Sequence, residues 1–275
     1  MNDNDIVVRK EDDDNGLDDF YEVKVTKYGD YLDLMACTNS RRKKKPNCKK
    51  VSKGIYVNTV TNEQIIAKEH FSRGDNFRLL KKSADNLYKL IHCNFYKNIG
   101  FHCVLTYSKP PDDTEEVYHD FKIFWQKVRY RYPNMGYISI LEPTQNGVWH
   151  IHLLLKDEKN KKMFISYYTI REYWKKGMCY ITPMREGVDY GQYFRKKITA
   201  DNDLLNLYKP GVRYFRHSRN IKKALTFTAE RNEVMDKLVQ KGGYELQEQY
   251  SLSINKVDFD GEVTLNKIYY KKFKK

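Results

Sequence analysis

Two apolar runs on either side of an asparagine–glycine pair constrain this chain more than any other feature. Tyr137 to Glu142 and Val148 to Leu155 flank Asn146-Gly147. Asn-Gly between two such runs is a strong short-range hairpin signal. The second run reads His150-Ile151-His152-Leu153-Leu154-Leu155. Residues two apart on a strand share a face, so both imidazoles point one way and Ile151 the other. What stands opposite them depends on the loop. A two-residue Asn146-Gly147 loop pairs Glu142 with Ile151, away from the histidines. A three-residue loop, Gln145-Asn146-Gly147 with the glycine left-handed, pairs Glu142 with His150 and aligns all three side chains. Pro143 lacks an N–H and favours an irregularity there. We expect the three-residue loop.

Periodicity extends the pattern on both sides. Phe77, Leu80, Ala84, Leu87 and Ile91 recur at helical spacing. A strand follows from Phe101 to Tyr107. Pro110 and Pro111 interrupt the chain, and Asp113 with Glu116 has capping-box-like spacing ahead of a helix carrying Val117, Phe121, Phe124 and Val128. Beyond the hairpin the spacing predicts a helix over 168–176 ending at Gly177, a strand over 178–182 and a helix over 189–199. Residues 219–241 read as one or two further helices stopping at Gly242-Gly243, and the tail as strands with an Asp260-Gly261 turn. The sum is an α+β domain, an antiparallel sheet with helices packed on it. The expected divisions are an acidic disordered tail over 1–19, a basic segment over 20–74, the main domain over 75–225, and a C-terminal helix and strands over 226–275.

Charge narrows the class of partner. Residues 1–20 hold eight acids against Arg9 and Lys10, a local net of −6, so the remainder of a chain of net charge +14 carries +20. Such a surplus favours a polyanion through phosphate neutralisation and counterion release. The chain has 23 tyrosines, rings on which the bases of a single strand can stack. The run Arg41-Arg42-Lys43-Lys44-Lys45 reads as a basic loop suited to phosphates, as do Arg213, Arg216 and Arg219 at every third position. The five cysteines show no CxxC spacing, and the acidic, polar start does not read as a signal peptide. Reduced thiols and a cytoplasmic protein without a membrane partner are expected.

Two imidazoles and a carboxylate suit Mn²⁺ or Mg²⁺ with positions left open for phosphate oxygens. The metal ligands expected are His150, His152 and Glu142, with Asp189 or Gln192 as the alternative third. The segment Asp189-Tyr190-Gly191-Gln192-Tyr193-Phe194-Arg195-Lys196-Lys197 adds a nucleophile. A phenol with a pKa near ~10 is about three units, or roughly 4 kcal/mol, from ionising at neutral pH. On a helix Lys196 lies three residues from Tyr193, and an ammonium there lowers that gap and stabilises charge on a phosphate. His102 and His119 read as structural.

Taken in order, Val104-Leu105-Thr106, Glu142 … Gly147 … His150-Ile151-His152-Leu153 and Tyr193-Phe194-Arg195-Lys196 resemble the three motifs of the HUH-superfamily rolling-circle replication initiators of bacterial plasmids and phages. Tyr173-Trp174-Lys175-Lys176-Gly177 and Tyr214-Phe215-Arg216-His217-Ser218-Arg219 add to the likeness, which covers roughly residues 75–225. The resemblance implies a ferredoxin- or RRM-like antiparallel sheet with His-x-His on a central strand and flanking helices. It implies nicking of single-stranded or hairpin origin DNA, a 5′-phosphotyrosine link and a released 3′-hydroxyl primer. By motif position Tyr193 is the nucleophile and Lys196 its helper. Many relatives carry a second tyrosine after that lysine; here Lys197 occupies the position, so single-tyrosine chemistry is expected unless Tyr190 substitutes. No GxxxxGK[ST] phosphate loop occurs in the chain, so unwinding is assigned to a host helicase. The same chemistry would serve a relaxase or a single-strand transposase. A non-catalytic single-strand binder would share the composition alone.

Overall fold

A computed structural model describes residues 6–11, 16–38, 48–52, 55–66, 77–95, 99–144, 146–157, 159, 164–199, 207–209, 211–257 and 263–275. Arg41, Arg42, Lys43, Gln145 and the Asp260-Gly261 turn lie outside these residues. The chain divides into two compact units, one made of residues 70–223 and the other of 1–69 together with 224–275.

The chain opens with six strands: β1 (Ile6–Glu11), β2 (Glu22–Tyr28), β3 (Tyr31–Cys37), β4 (Cys48–Ser52), β5 (Ile55–Asn58) and β6 (Gln64–Ile66). The 70–223 unit then contributes α1 (Phe77–Phe95), β7 (Phe101–Leu105), α2 (Thr114–Arg131), β8 (Met135–Pro143), β9 (Trp149–Asp157), α3 (Tyr167–Trp174), β10 (Cys179–Pro183), α4 (Tyr190–Thr199) and β11 (Phe215–His217). The chain finishes with β12 (Leu225–Glu230), the short helix α5 (Arg231–Glu233) running into a π-helical turn over Val234–Gln240, β13 (Glu245–Val257) and β14 (Val263–Lys274).

In the 70–223 unit five antiparallel strands lie in the order β10-β7-β9-β8-β11. Strand β9 is therefore central and reads as one nearly continuous buried run, with Leu153, Leu154 and Leu155 at 0 % exposure. Segments β7-α2-β8-β9-α3-β10 form a β-α-β-β-α-β unit in which β9 inserts between β7 and β8. Helix α2 starts as its sequence predicts: the Asp113 side chain accepts from the N–H groups of Glu115 and Glu116. It buries Val117, Phe121, Phe124 and Val128, and its Phe121 and Trp125 rings pack on Tyr137. Tyr137 alternates with Ile138 and Ile140, which share the histidine face, so α2 covers the opposite face. The histidine face is met by α4, whose Phe194 lies against both His102 and His152. Helix α4 in turn packs on α1 through Gly191, where a Cβ would stand 2.7 Å from His92 Nε2.

The other unit holds a six-stranded antiparallel sheet, β1-β13-β14-β3-β2-β12, and the small sheet β4-β5-β6. Its core gathers Leu17, Val23, Val25, Leu32, Leu34 and Phe273 with Val234 and Val239. Three expectations are corrected here. The acidic stretch 1–19 is not a free tail throughout: Ile6–Glu11 pairs with β13, Leu17 is 2 % exposed, and Asp18 is held by Arg231 and Lys271. The Ile6-Val7-Val8 run favours a strand there despite the acids around it. Residues 20–74 and 226–275 are not separate segments, because β2 and β3 share one sheet with β12 and β14. The helix expected over 219–241 begins only at Arg231; Leu225-Thr226-Phe227-Thr228-Ala229 alternates with period two and pairs with β2. Among the described residues no helix is long and apolar enough to cross a membrane.

Candidate metal centre and nucleophile helix

The hairpin register decides which side chains meet. Strands β8 and β9 pair Glu142 with His150 and Pro143 with Trp149, and Thr144 accepts from Gly147 N and donates to Val148 O. Gly147 has φ 77°, the left-handed conformation that glycine adopts at least cost. This is the three-residue register, and it places Glu142, His150 and His152 on one face. Their donor atoms lie within 4.8 Å of one another. His150 Nε2 and His152 Nε2 are 3.0 Å apart, and Glu142 Oε2 stands 2.9 Å from His152 Nε2 and 3.8 Å from His150 Nε2.

Two observations test whether this cluster fits a cation. Glu142 Oε2 is buried and makes no properly directed hydrogen bond despite its closeness to the imidazoles, so a lone pair is left facing them. The protonation states also agree. Burial, then the neighbouring His152, pushes His150 down to about 4, so its ring is uncharged near neutral pH and keeps a lone pair. Burial opposes ionisation of Glu142, but hydrogen bonds from His152 and Lys197 outweigh it and hold the carboxyl at about 2. Two neutral imidazoles and a carboxylate converging on one point are a donor set for a divalent ion. Among the described residues this is the cluster of metal-ligating type.

Neighbouring side chains orient the triad. His102 Nε2 lies 3.0 Å from His152 Nδ1 with the rings stacked. Burial, then His152, lowers His102 to about 4; the neutral ring accepts from His152 Nδ1–H, and His152 Nε2 remains free to face the cluster. The structural reading of His102 is therefore corrected. Its signal was parity: β7 pairs Val104 with His152, and His102, two residues away, shares that face. His119 is exposed and stands 4.0 Å from Asp120, on the helix that covers the opposite face.

Helix α4 brings the tyrosines. Tyr190, Phe194 and Ile198 are its buried ridge. At 100° per residue Lys196 points about 200° from Phe194 and so toward solvent, whereas Lys197 lies on the same flank as Tyr193. Lys196 is exposed, and Lys197 takes the place expected for it. Lys197 Nζ is 2.5 Å from Glu142 Oε1 and lies 5.0 Å from the centre of the Tyr193 ring. Burial disfavours its charge, but hydrogen bonds with Glu142 and Tyr193 prevail and raise its pKa, so it stays an ammonium. Tyr193 is 40 % exposed, while Tyr190 is 7 % exposed and its hydroxyl accepts from Arg185 N. Asp189 accepts from Gln192 N at the start of α4 and faces His92 at 3.2 Å, so it is engaged away from the triad and Glu142 is the third member. Arg213, Arg216 and Arg219 stand around β11, the edge strand, apart from the triad.

No curated protein and no solved structure matches the chain. Residues 101–200 match the model of a family described as replication-associated protein ORF2. The matched segment opens with β7 and closes with α4, and so contains the triad, His102, Tyr193 and Lys197. By that match the chain is related to the rolling-circle replication initiators.

Proposed function

We propose that this protein starts rolling-circle replication by nicking single-stranded origin DNA with Tyr193. The observation that carries the reading is Lys197, which links the triad to the tyrosine through Glu142 Oε1 on one side and Tyr193 on the other. The β-α-β-β-α-β order with His-x-His on the central strand supports assignment to the HUH fold. Glu142, His150 and His152 would hold Mn²⁺ or Mg²⁺, which when bound supplies Lewis-acid polarisation of the scissile phosphoryl group.

The Tyr193 oxygen attacks phosphorus, the bond to the 3′ oxygen breaks, and a 5′-phosphotyrosine forms. The phenolic proton leaves to water and the departing 3′ oxygen takes one up. Lys197, charged throughout, stabilises the phenolate and the negative charge on phosphate rather than acting as the base. Glu142 divides its two oxygens between Lys197 and the imidazoles, which fixes the tyrosine helix relative to the metal donors. Host helicase supplies the unwinding.

The test is cleavage of a labelled single-stranded origin oligonucleotide. EDTA should abolish cutting and Mn²⁺ restore it, and Tyr193→Phe should eliminate the protein–DNA adduct that survives a denaturing gel. Undiminished cutting in EDTA, or an intact adduct with Tyr193→Phe, would sink the proposal.

A further inference from the structure

Strand β11 borders two open grooves that adjoin through Tyr137 and His217, with volumes of about 740 and 640 Å³. Arg213 and Arg216 line the first; Arg129, Lys159 and Arg219 line the second. No carboxylate lines either groove, and none of these five cations forms an ion pair among the described residues. Elsewhere in the same unit cations are matched, as Arg195 is by Asp85 and Lys176 by Asp120. An edge that gathers five unmatched positive charges repels itself until a polyanion lies along it.

We infer that this edge is a second nucleic-acid contact, which grips the sugar–phosphate backbone of a single strand away from the scissile phosphate. The inference rests on the reading of the metal centre as a nicking site and adds where else the same strand is held. Shape favours one strand over two. A duplex is stiff over about 150 base pairs and would bridge a concave surface, whereas a single strand bends into a basic groove. The lining includes aromatic rings as well as cations: Trp125 and Tyr137 pack with centroids 4.3 Å apart. The groove is also remote from the chemistry. Tyr137 precedes Glu142 by five positions on β8, about 17 Å at strand rise, so the two contacts engage different phosphates of one strand. Strand β11 and its three arginines follow the segment that matches the replication-associated family.

The experiment reads binding in full-length protein carrying Tyr193→Phe, so a chain that never cuts DNA still reports on the groove and the two readings fail separately. Arg129→Ala, Arg213→Ala and Arg219→Ala are combined; Arg216 is kept because its guanidinium stacks 3.4 Å over the Tyr118 ring. Affinity for a long fluorescent single strand should fall about tenfold, and the slope of log K against log salt should shrink by about 2, for three lost phosphate contacts at ~0.7 each. The matching Arg→Lys triple, which keeps the charges, should restore most of the slope. An unchanged slope in the alanine triple overturns the proposal. If that triple fails to melt cooperatively, Arg219→Ala alone decides, with an expected slope change of about 0.7 and no change overturning it. The same sequence annealed to its complement should lose less affinity than the single strand; an equal or greater loss overturns the single-strand assignment.

Discussion

Tyr190 and Tyr193 stand one turn apart on α4 and differ in what their hydroxyls touch. Tyr190 gives its oxygen to Arg185 N inside the fold, and Tyr193 reaches solvent beside Lys197. Tyr190→Phe should leave the covalent adduct intact and cost about 1 kcal/mol of stability for the lost hydrogen bond, read as a lower Tm. The lysines divide in the same way. Lys197→Ala should slow adduct formation about tenfold or more, ~1.4 kcal/mol, and Lys196→Ala should change it less than about twofold; equal effects would contradict the ridge geometry of α4. His102 offers a test that needs no DNA. Removing the acceptor that fixes the His152 ring should weaken Mn²⁺ binding about 10- to 100-fold. Isothermal titration of His102→Ala against His102→Gln checks this: the amide, able to accept from His152 Nδ1, should recover part of the affinity. Equal affinities in both variants, alongside equal losses of Tm, would reduce His102 to packing.

At the scale of elements the metal face depends on a loop one residue longer than the commonest Asn-Gly turn. Deleting Asn146 should convert it to a two-residue loop and slide Glu142 opposite Ile151, onto the other face. We expect that variant to keep its sheet by circular dichroism and to lose most Mn²⁺ affinity; retained affinity would mean the carboxylate is not a ligand. Much of this was legible in the chain. Asn146-Gly147, Pro143 and the Leu153–Leu155 run point to the hairpin, and Val117, Phe121, Phe124 and Val128 are buried on α2 as their spacing predicts. Lys197 was missed because three- and four-residue helical spacings are both neighbours of Tyr193, and only the buried ridge of Tyr190, Phe194 and Ile198 chooses between them. His102 was missed because one histidine on a strand carries no signal until its partner strand is known. The β12 strand was read as helix because its sheet partner, β2, lies some two hundred residues earlier, out of reach of any local window.

The whole molecule is one unit inserted into another. Residues 70–223 carry their own closure: the Asn94 side chain donates to Leu90 O and Lys222 O and accepts from Lys222 N, joining α1 to the end of the unit. The excised fragment 70–223 should therefore melt cooperatively and bind Mn²⁺ with affinity close to that of the full chain, as calorimetry and titration would reveal; a fragment without a cooperative transition would show that the surrounding sheet is required. Asn94→Ala should lower the stability of that fragment by about 1–3 kcal/mol, since it strands buried backbone groups.

Insertion also fixes an order of events. The β2–β3 hairpin is made early, yet its neighbours β12 and β14 follow only after the whole inserted unit; Tyr21 and its partner Glu230 are 209 positions apart. At roughly 5–20 residues per second, the ribosome leaves that hairpin with both edges open for about 10–40 seconds, while the inserted unit completes its own sheet. A message that ends or stalls near codon 223 would release a folded inner unit flanked by unpaired strands, and unpaired strand edges seek other chains. The speed at which the last fifty codons are read thus sets the fraction of protein that reaches its outer sheet before it aggregates.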